Sequence, residues 1–102
     1  MAFTGDEAEE FPLKTAAEWT ANYRKSNPEG IKGHFFGVKI IEKILKQQGC
    51  VGIRCYYALD EKGVQQLIIV GADKDENDLY EGIIAEVSLP CPPFCPNGSP
   101  LI

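Results

Sequence analysis

Cys91 and Cys95 stand four residues apart in Cys91-Pro92-Pro93-Phe94-Cys95, and thiols so close together invite redox or metal chemistry. The spacing has three intervening residues, not the two of a thioredoxin motif or zinc knuckle. A disulfide between them needs a turn at Pro93-Phe94 or a cis proline, because residues ahead of proline favour extended backbone and the two Cα atoms must approach within about 7 Å. A local disulfide, a metal and two free thiols therefore stay open as alternatives. Cys50 and Cys55, read as lying five apart on one strand, point to opposite faces and do not complete a four-thiolate zinc site. Cys55 reads as a small core residue.

Asp73, Asp75 and Asn77, with Glu81 beyond, resemble the odd-numbered oxygen ligands of a calcium loop. Asp78 stands where such a loop needs glycine, and Ile84 where it needs a bidentate Glu, so the candidate is weak and a solvated turn is the competing reading. His34 is the one histidine. It has no recognisable nucleophile elbow nearby, and no glycine-rich phosphate loop occurs. The residues therefore point to no catalytic set and no cofactor.

The elements that would position these residues are clearest from Cys50 to Asp73. Asp60-Glu61-Lys62-Gly63 predicts a tight turn, with Gly63 supplying positive φ after a type I turn. The implied register sets Leu59 opposite Gln65, Tyr57 opposite Leu67, Cys55 opposite Ile69 and Ile53 opposite Gly71. Alternation then places Val51, Ile53, Cys55, Tyr57, Leu59, Leu67 and Ile69 on one face, the expected core. Tyr56, Ile68, Val70 and Ala72 share the other face with Arg54 and Gln66. That face is too apolar for open water, so a neighbouring chain or a terminal tail is expected to cover Tyr56, Ile68 and Val70.

Two helices are expected before the hairpin. Thr15-Ala16-Ala17-Glu18 is a capping box predicting a helix start, with Ala16, Trp19 and Tyr23 on a core-facing stripe and breakers from Ser26 to Gly30. A second helix is expected from about Gly33 to Gln48, with Gly49 as its C-cap. Its apolar residues Phe36, Val38, Ile40, Ile41, Ile44 and Leu45 spread over an arc of roughly 200°, which predicts a central helix packed across the hairpin. Leu79 to Leu89 reads as a third strand beside Val64 to Ala72, with a short helix as the alternative.

The expectation is an α+β fold: two N-terminal helices on a small antiparallel sheet, followed by an extended proline-rich tail. Residues 1–11 form an acidic tail with Phe3 and Phe11 as anchors, 12–89 one domain, and 90–102 the Pro/Cys-rich tail. The combination of Glu18-Trp19-Thr20, Asn22-Tyr23-Arg24, His34-Phe35-Phe36-Gly37, the hairpin and the closing cysteine pair resembles a group of small uncharacterised bacterial proteins. That resemblance implies a self-contained domain over nearly the whole chain and carries no activity with it.

Charge is distributed unevenly about the net −5. Residues 11–50 hold seven bases against three acids, whereas residues 60–86 hold eight acids against Lys62 and Lys74. Complementary halves suit head-to-tail association, although charge runs more commonly mark solvated faces. The acid excess argues against nucleic acid as a partner. No signal-like or membrane-length apolar run is present, so a cytoplasmic protein is expected, with leaderless export left open.

The function this predicts is a non-enzymatic structural or interaction protein that binds copies of itself. Its expected contact residues are Tyr56, Ile68 and Val70 on the sheet and Phe94, Leu101 and Ile102 on the tail. Proline-rich segments lose little entropy on docking, so the tail is also expected to reach another protein. The alternative is a small redox or metal-binding protein using Cys91 and Cys95.

Overall fold

The computed structural model describes residues 2–102 and shows an α+β protein with two helices and two antiparallel sheets. Its contacts divide the chain into two compact units. One compact unit joins the segment up to Glu7 with Phe36–Ser88, and the other joins Ala8–Phe35 with Leu89–Ile102. Among the described residues no helix is long and apolar enough to cross a membrane.

In the second unit, helix α1 spans Leu13–Ser26, starting ahead of the expected capping box. Pro12 is the N-cap, and its carbonyl accepts the Ala16 amide at 3.0 Å. With φ at −63°, Pro12 already has the geometry of a helix entry, so Thr15 falls inside the first turn and makes no cap bond. The expected aromatic core stripe is also corrected. Trp19 is 62% exposed and meets the Phe11 ring at a tilt of 51°, 4.7 Å between centroids, Tyr23 is exposed, and no residue of α1 is fully buried.

Strand β1, Gly33–Phe35, replaces the first turn of the expected second helix. It pairs antiparallel with the last strand of the chain, Leu89–Cys91, so that His34 faces Pro90. A non-local pairing here overrides local helical periodicity. His34 is half-buried, and desolvation lowers its pKa from the ordinary value.

In the first unit, helix α2 is confined to Val38–Leu45. Strand β2, Gly52–Leu59, and strand β3, Gln65–Ala72, form the hairpin in the expected register, and strand β4, Ile84–Ala85, adds the third strand on the far side of β3. The strand read over Leu79–Leu89 thus contracts to two residues. Leu89–Cys91 becomes β5, the partner of β1 in the other unit.

The core of this unit gathers around Ile44, Ile69 and Ala85, with Phe36, Ile40, Ile41, Cys50 and Ile83 packed against them. Of the hairpin face expected to be core, only Ile69 is fully buried. Tyr57 is 86% and Leu59 73% exposed, and Cys55 is exposed as well. Length explains the difference. Eight helical residues span about 12 Å, whereas eight strand residues span about 27 Å. α2 therefore covers the end of the hairpin remote from its turn and leaves the turn end bare.

Gln47, just past α2, ties helix to sheet. Its Nε2 donates to the Ile44 carbonyl at 3.0 Å, and its Oε1 accepts the Ile83 amide at 2.9 Å. Gly71 permits this close approach, since a Cβ there would meet Cys50 Sγ at 2.9 Å and Ile44 Cγ2 at 3.3 Å. Gln47→Ala should lower unfolding free energy by about 1–3 kcal/mol, because it leaves the half-buried Ile83 amide without its acceptor, while the Ile44 carbonyl keeps the Gln47 backbone amide at 3.3 Å. Denaturant unfolding measures the loss, and an unchanged midpoint would show that water replaces the clamp.

Candidate interaction surface

The hairpin turn is built by Asp60. Its amide donates to the Val64 carbonyl at 3.0 Å, and Gly63, at φ +80°, donates to the Asp60 carbonyl at 2.9 Å. Asp60 Oδ1 accepts the Lys62 and Val64 amides, while Oδ2 accepts Gln66 Nε2. The Val64 amide above all, then Gln66, holds this carboxyl below its usual range.

Because Asp60 and Val64 form a bonded pair, antiparallel alternation directs the amides and carbonyls of Ala58, Tyr56 and Arg54 toward β3. Those of Ile53, Cys55, Tyr57 and Leu59 then point the other way. β2 is the outer strand of its sheet, so these groups lie along an open edge. The strand carries no proline and no lysine, two of the devices that protect edges from further pairing. A depression of about 350 Å³ lined by Tyr57, Ala58, Leu59 and Gln65 lies at its turn end.

Tyr56, Ile68 and Val70 occupy the sheet face opposite α2, and their cover is uneven. Val70 is 3% exposed, Ile68 is half-buried and Tyr56 is exposed. Arg54, the cross-strand neighbour of Val70, lies over the Phe3 ring at 5.3 Å, and the Phe3 amide donates to the Lys74 carbonyl at 2.8 Å. The chain's own N-terminal segment thus crosses the Val70 end of this face. Phe3 was legible as an anchor; where it anchors was not.

Missed in the sequence was the role of Asp78. Arg54 and the Tyr56 hydroxyl both donate to its carboxylate, and Arg54 also donates to the Glu76 carbonyl at 3.2 Å. Hydrogen bonding from Tyr56, then from Arg54, holds the Asp78 carboxyl below its ordinary range, and the same bond raises the Tyr56 phenol. This trio fastens the acidic loop to β2. A basic and an aromatic residue two apart on a strand were the only signal for it.

The weak calcium candidate, Asp73, Asp75 and Asn77, lies in a turn. Asp73 Oδ1 accepts the Asp75 and Asn77 amides at 2.9 and 3.0 Å, so its oxygen is engaged by the loop's own backbone. Among the described residues no three His, Cys, Asp or Glu side chains converge on one point. A depression of about 360 Å³ is lined by Gln47, Gln48, Tyr80, Glu81 and Asp78, the last already held by Arg54 and Tyr56.

The remaining expected contact residues lie in the other unit. Phe94, Leu101 and Ile102 are exposed, and the Leu101 carbonyl accepts a bond from Arg24 Nη1 at 2.8 Å. The tail is not extended throughout. Its start is paired in β5, the Cys91 carbonyl accepts the Lys32 amide, and the Phe94 amide turns back to Pro90. Cys91 and Cys95 are joined as a disulfide with Cα atoms 4.7 Å apart, and the Cys91–Pro92 and Pro92–Pro93 peptides are cis. Cys50 lies ahead of β2 rather than on it, so it does not alternate with Cys55 along one strand; it packs on the core, and its thiol donates to the Gly52 carbonyl at 3.2 Å.

No family model, curated protein or solved structure matches the chain.

Proposed function

We propose that this is a non-enzymatic interaction protein that associates with copies of itself through the turn end of its hairpin. One observation carries the reading: an eight-residue edge strand, free of proline and lysine, projects beyond the helix that covers its base and exposes Tyr57 and Leu59. Edge groups without partners attract another strand, and the apolar side chains beside them gain by leaving water. The basic 11–50 and acidic 60–86 stretches support self-recognition by steering like copies into contact. The exposed Phe94, Leu101 and Ile102 extend the proposal to a second contact, with another protein or another copy. Membrane and nucleic acid are not among the proposed partners, and a cytoplasmic setting belongs to the same proposal.

Light scattering tests it. At tens of micromolar the mass should be at least twice the 11.2 kDa of one chain, at low and at high salt alike, and Tyr57→Lys should return it to one chain mass. A wild-type mass of one chain at both salts overturns self-association. Dissociation by salt alone would shift the contact from the edge to the charged faces.

The Cys91–Cys95 disulfide favours a second reading, a small redox protein. Counting accessible thiols before and after mild reduction tests it. Two additional thiols that reform a bond reversibly under a glutathione buffer support that reading, and a bond inert to that buffer removes it.

A further inference from the structure

We infer that β2 pairs antiparallel with β2 of a second copy, with Tyr56 on the two-fold axis, joining the two three-stranded sheets into one of six strands. The inference rests on the self-association reading and adds the partner strand and its register.

Ile53, Cys55, Tyr57 and Leu59 present their backbone groups to the open edge, so only these odd positions can form bonded pairs with a second β2. A two-fold axis perpendicular to the sheet pairs residues whose numbers have a constant sum. With the axis at Tyr56, Ile53 meets Leu59 of the second copy and Cys55 meets its Tyr57, and the reverse pairs follow by symmetry. All four outward residues are then used. Moving the axis to Cys55 leaves Leu59 without a partner inside the strand, because Val51 already donates to the Ala72 carbonyl. Moving it to Tyr57 leaves Ile53 unpaired. The Tyr56 register is the one that leaves no outward group of Ile53–Leu59 open.

Side chains agree with this register. On the helix-covered face it joins exposed Ile53 to exposed Leu59, and the depression beside Tyr57 and Leu59 faces the incoming Ile53. The turn end that α2 is too short to cover comes to lie beside the end that the other copy's α2 does cover. On the opposite face the two Tyr56 rings meet at a non-bonded pair, where side chains approach most closely and aromatic pairs are favourable. Arg54, the only charged residue of β2, falls opposite Ala58 and not opposite its own copy. Asp78 already neutralises it, so no like charges meet across the axis.

Disulfide trapping in the full chain reads the register directly. In a Cys55→Ser background, Tyr56→Cys places two thiols across a non-bonded pair, within disulfide reach. Copper phenanthroline should convert most chains to covalent dimers. Unsubstituted Cys55 should stay uncrosslinked, since its mate is diagonal and about 7–8 Å away. Tyr56→Cys removes a bond to Asp78, so an independent pair guards against a folding defect. Mixing Ile53→Cys protein with Leu59→Cys protein, both in the Cys55→Ser background, should give crosslinked mixed dimers, and neither alone should crosslink. If scattering shows at least two chains but Cys55 is the residue that crosslinks, or neither engineered set does, the register is overturned and self-association stands. If scattering shows one chain throughout, both fall.

Discussion

Ile44→Ala should lower the unfolding free energy of the hairpin unit by roughly 3–4 kcal/mol, the largest loss expected from any single side-chain truncation in it. Ile44 is 0% exposed and sits where α2 crosses Ile69, with Ala85 completing the cluster. Removing its branched side chain forfeits the transfer energy of the buried carbons and leaves a cavity that an eight-residue helix, held by Gln47, has little freedom to fill. The fully buried set around it is small, so no second layer is available to share the loss. Leu45, the next residue, is the matched control: it is 47% exposed, and Leu45→Ala should cost well under half as much. Urea unfolding of the two variants side by side decides the matter. Equal losses would mean that Leu45 is buried in solution, which an assembled protein would show and a single chain would not.

The hairpin was legible because its signals are local. Asp60 and Gly63 fix a turn, the turn fixes the register, and period-two alternation fixes the faces; every cross-strand pair from Ile53–Gly71 to Leu59–Gln65 follows. Which part of a face is buried depends on how far a covering helix reaches, and the reach of α2 was misread. The helical periodicity of the apolar residues from Phe36 to Leu45 invites a helix start near Gly33, yet Gly33–Phe35 is drawn into a strand by residues 89–91, more than fifty positions later. Gly37, extended at φ −68° and ψ 156°, separates the two elements. Sequence periodicity carries no information about such a partner.

The α1 aromatics failed for a related reason. Trp19 and Tyr23 lie at helical spacing, but Thr15, Ala16, Ala17, Thr20, Ala21 and Arg24 are the partly buried residues of α1, and the small side chains that predominate among them leave a weaker periodic signal than aromatic ones. At the candidate surface, strand alternation placed Tyr56, Ile68 and Val70 on one face, as the register has them. It did not reveal that Phe3 lies beneath Arg54, or that Asp78 is bonded to two neighbours on β2. The open edge is a property of strand order, which only the fold supplies.

Proline at two adjacent positions of β2 should have opposite consequences, and the contrast gives the second large effect. The Tyr57 amide points to the open edge, so Tyr57→Pro removes a donor that the isolated chain does not use, in an outer strand where proline is tolerated. Far-ultraviolet dichroism should stay close to wild type while the mass in solution falls to that of one chain. The Tyr56 amide points inward, to Ile68 of β3. Tyr56→Pro deletes a ladder bond, orphans a carbonyl at a cost of about 1–3 kcal/mol and brings the pyrrolidine ring against the neighbouring strand. It also removes the hydroxyl that holds Asp78, so the hairpin should lose order along with the assembly. Both variants delete one tyrosine from the same strand, so lost aromatic area cannot explain a difference between them. A Tyr57→Pro protein that still assembles would show that the edge is not the contact. One that unfolds would show that its amide is bonded within the chain, reversing the alternation on which the edge and its register both depend.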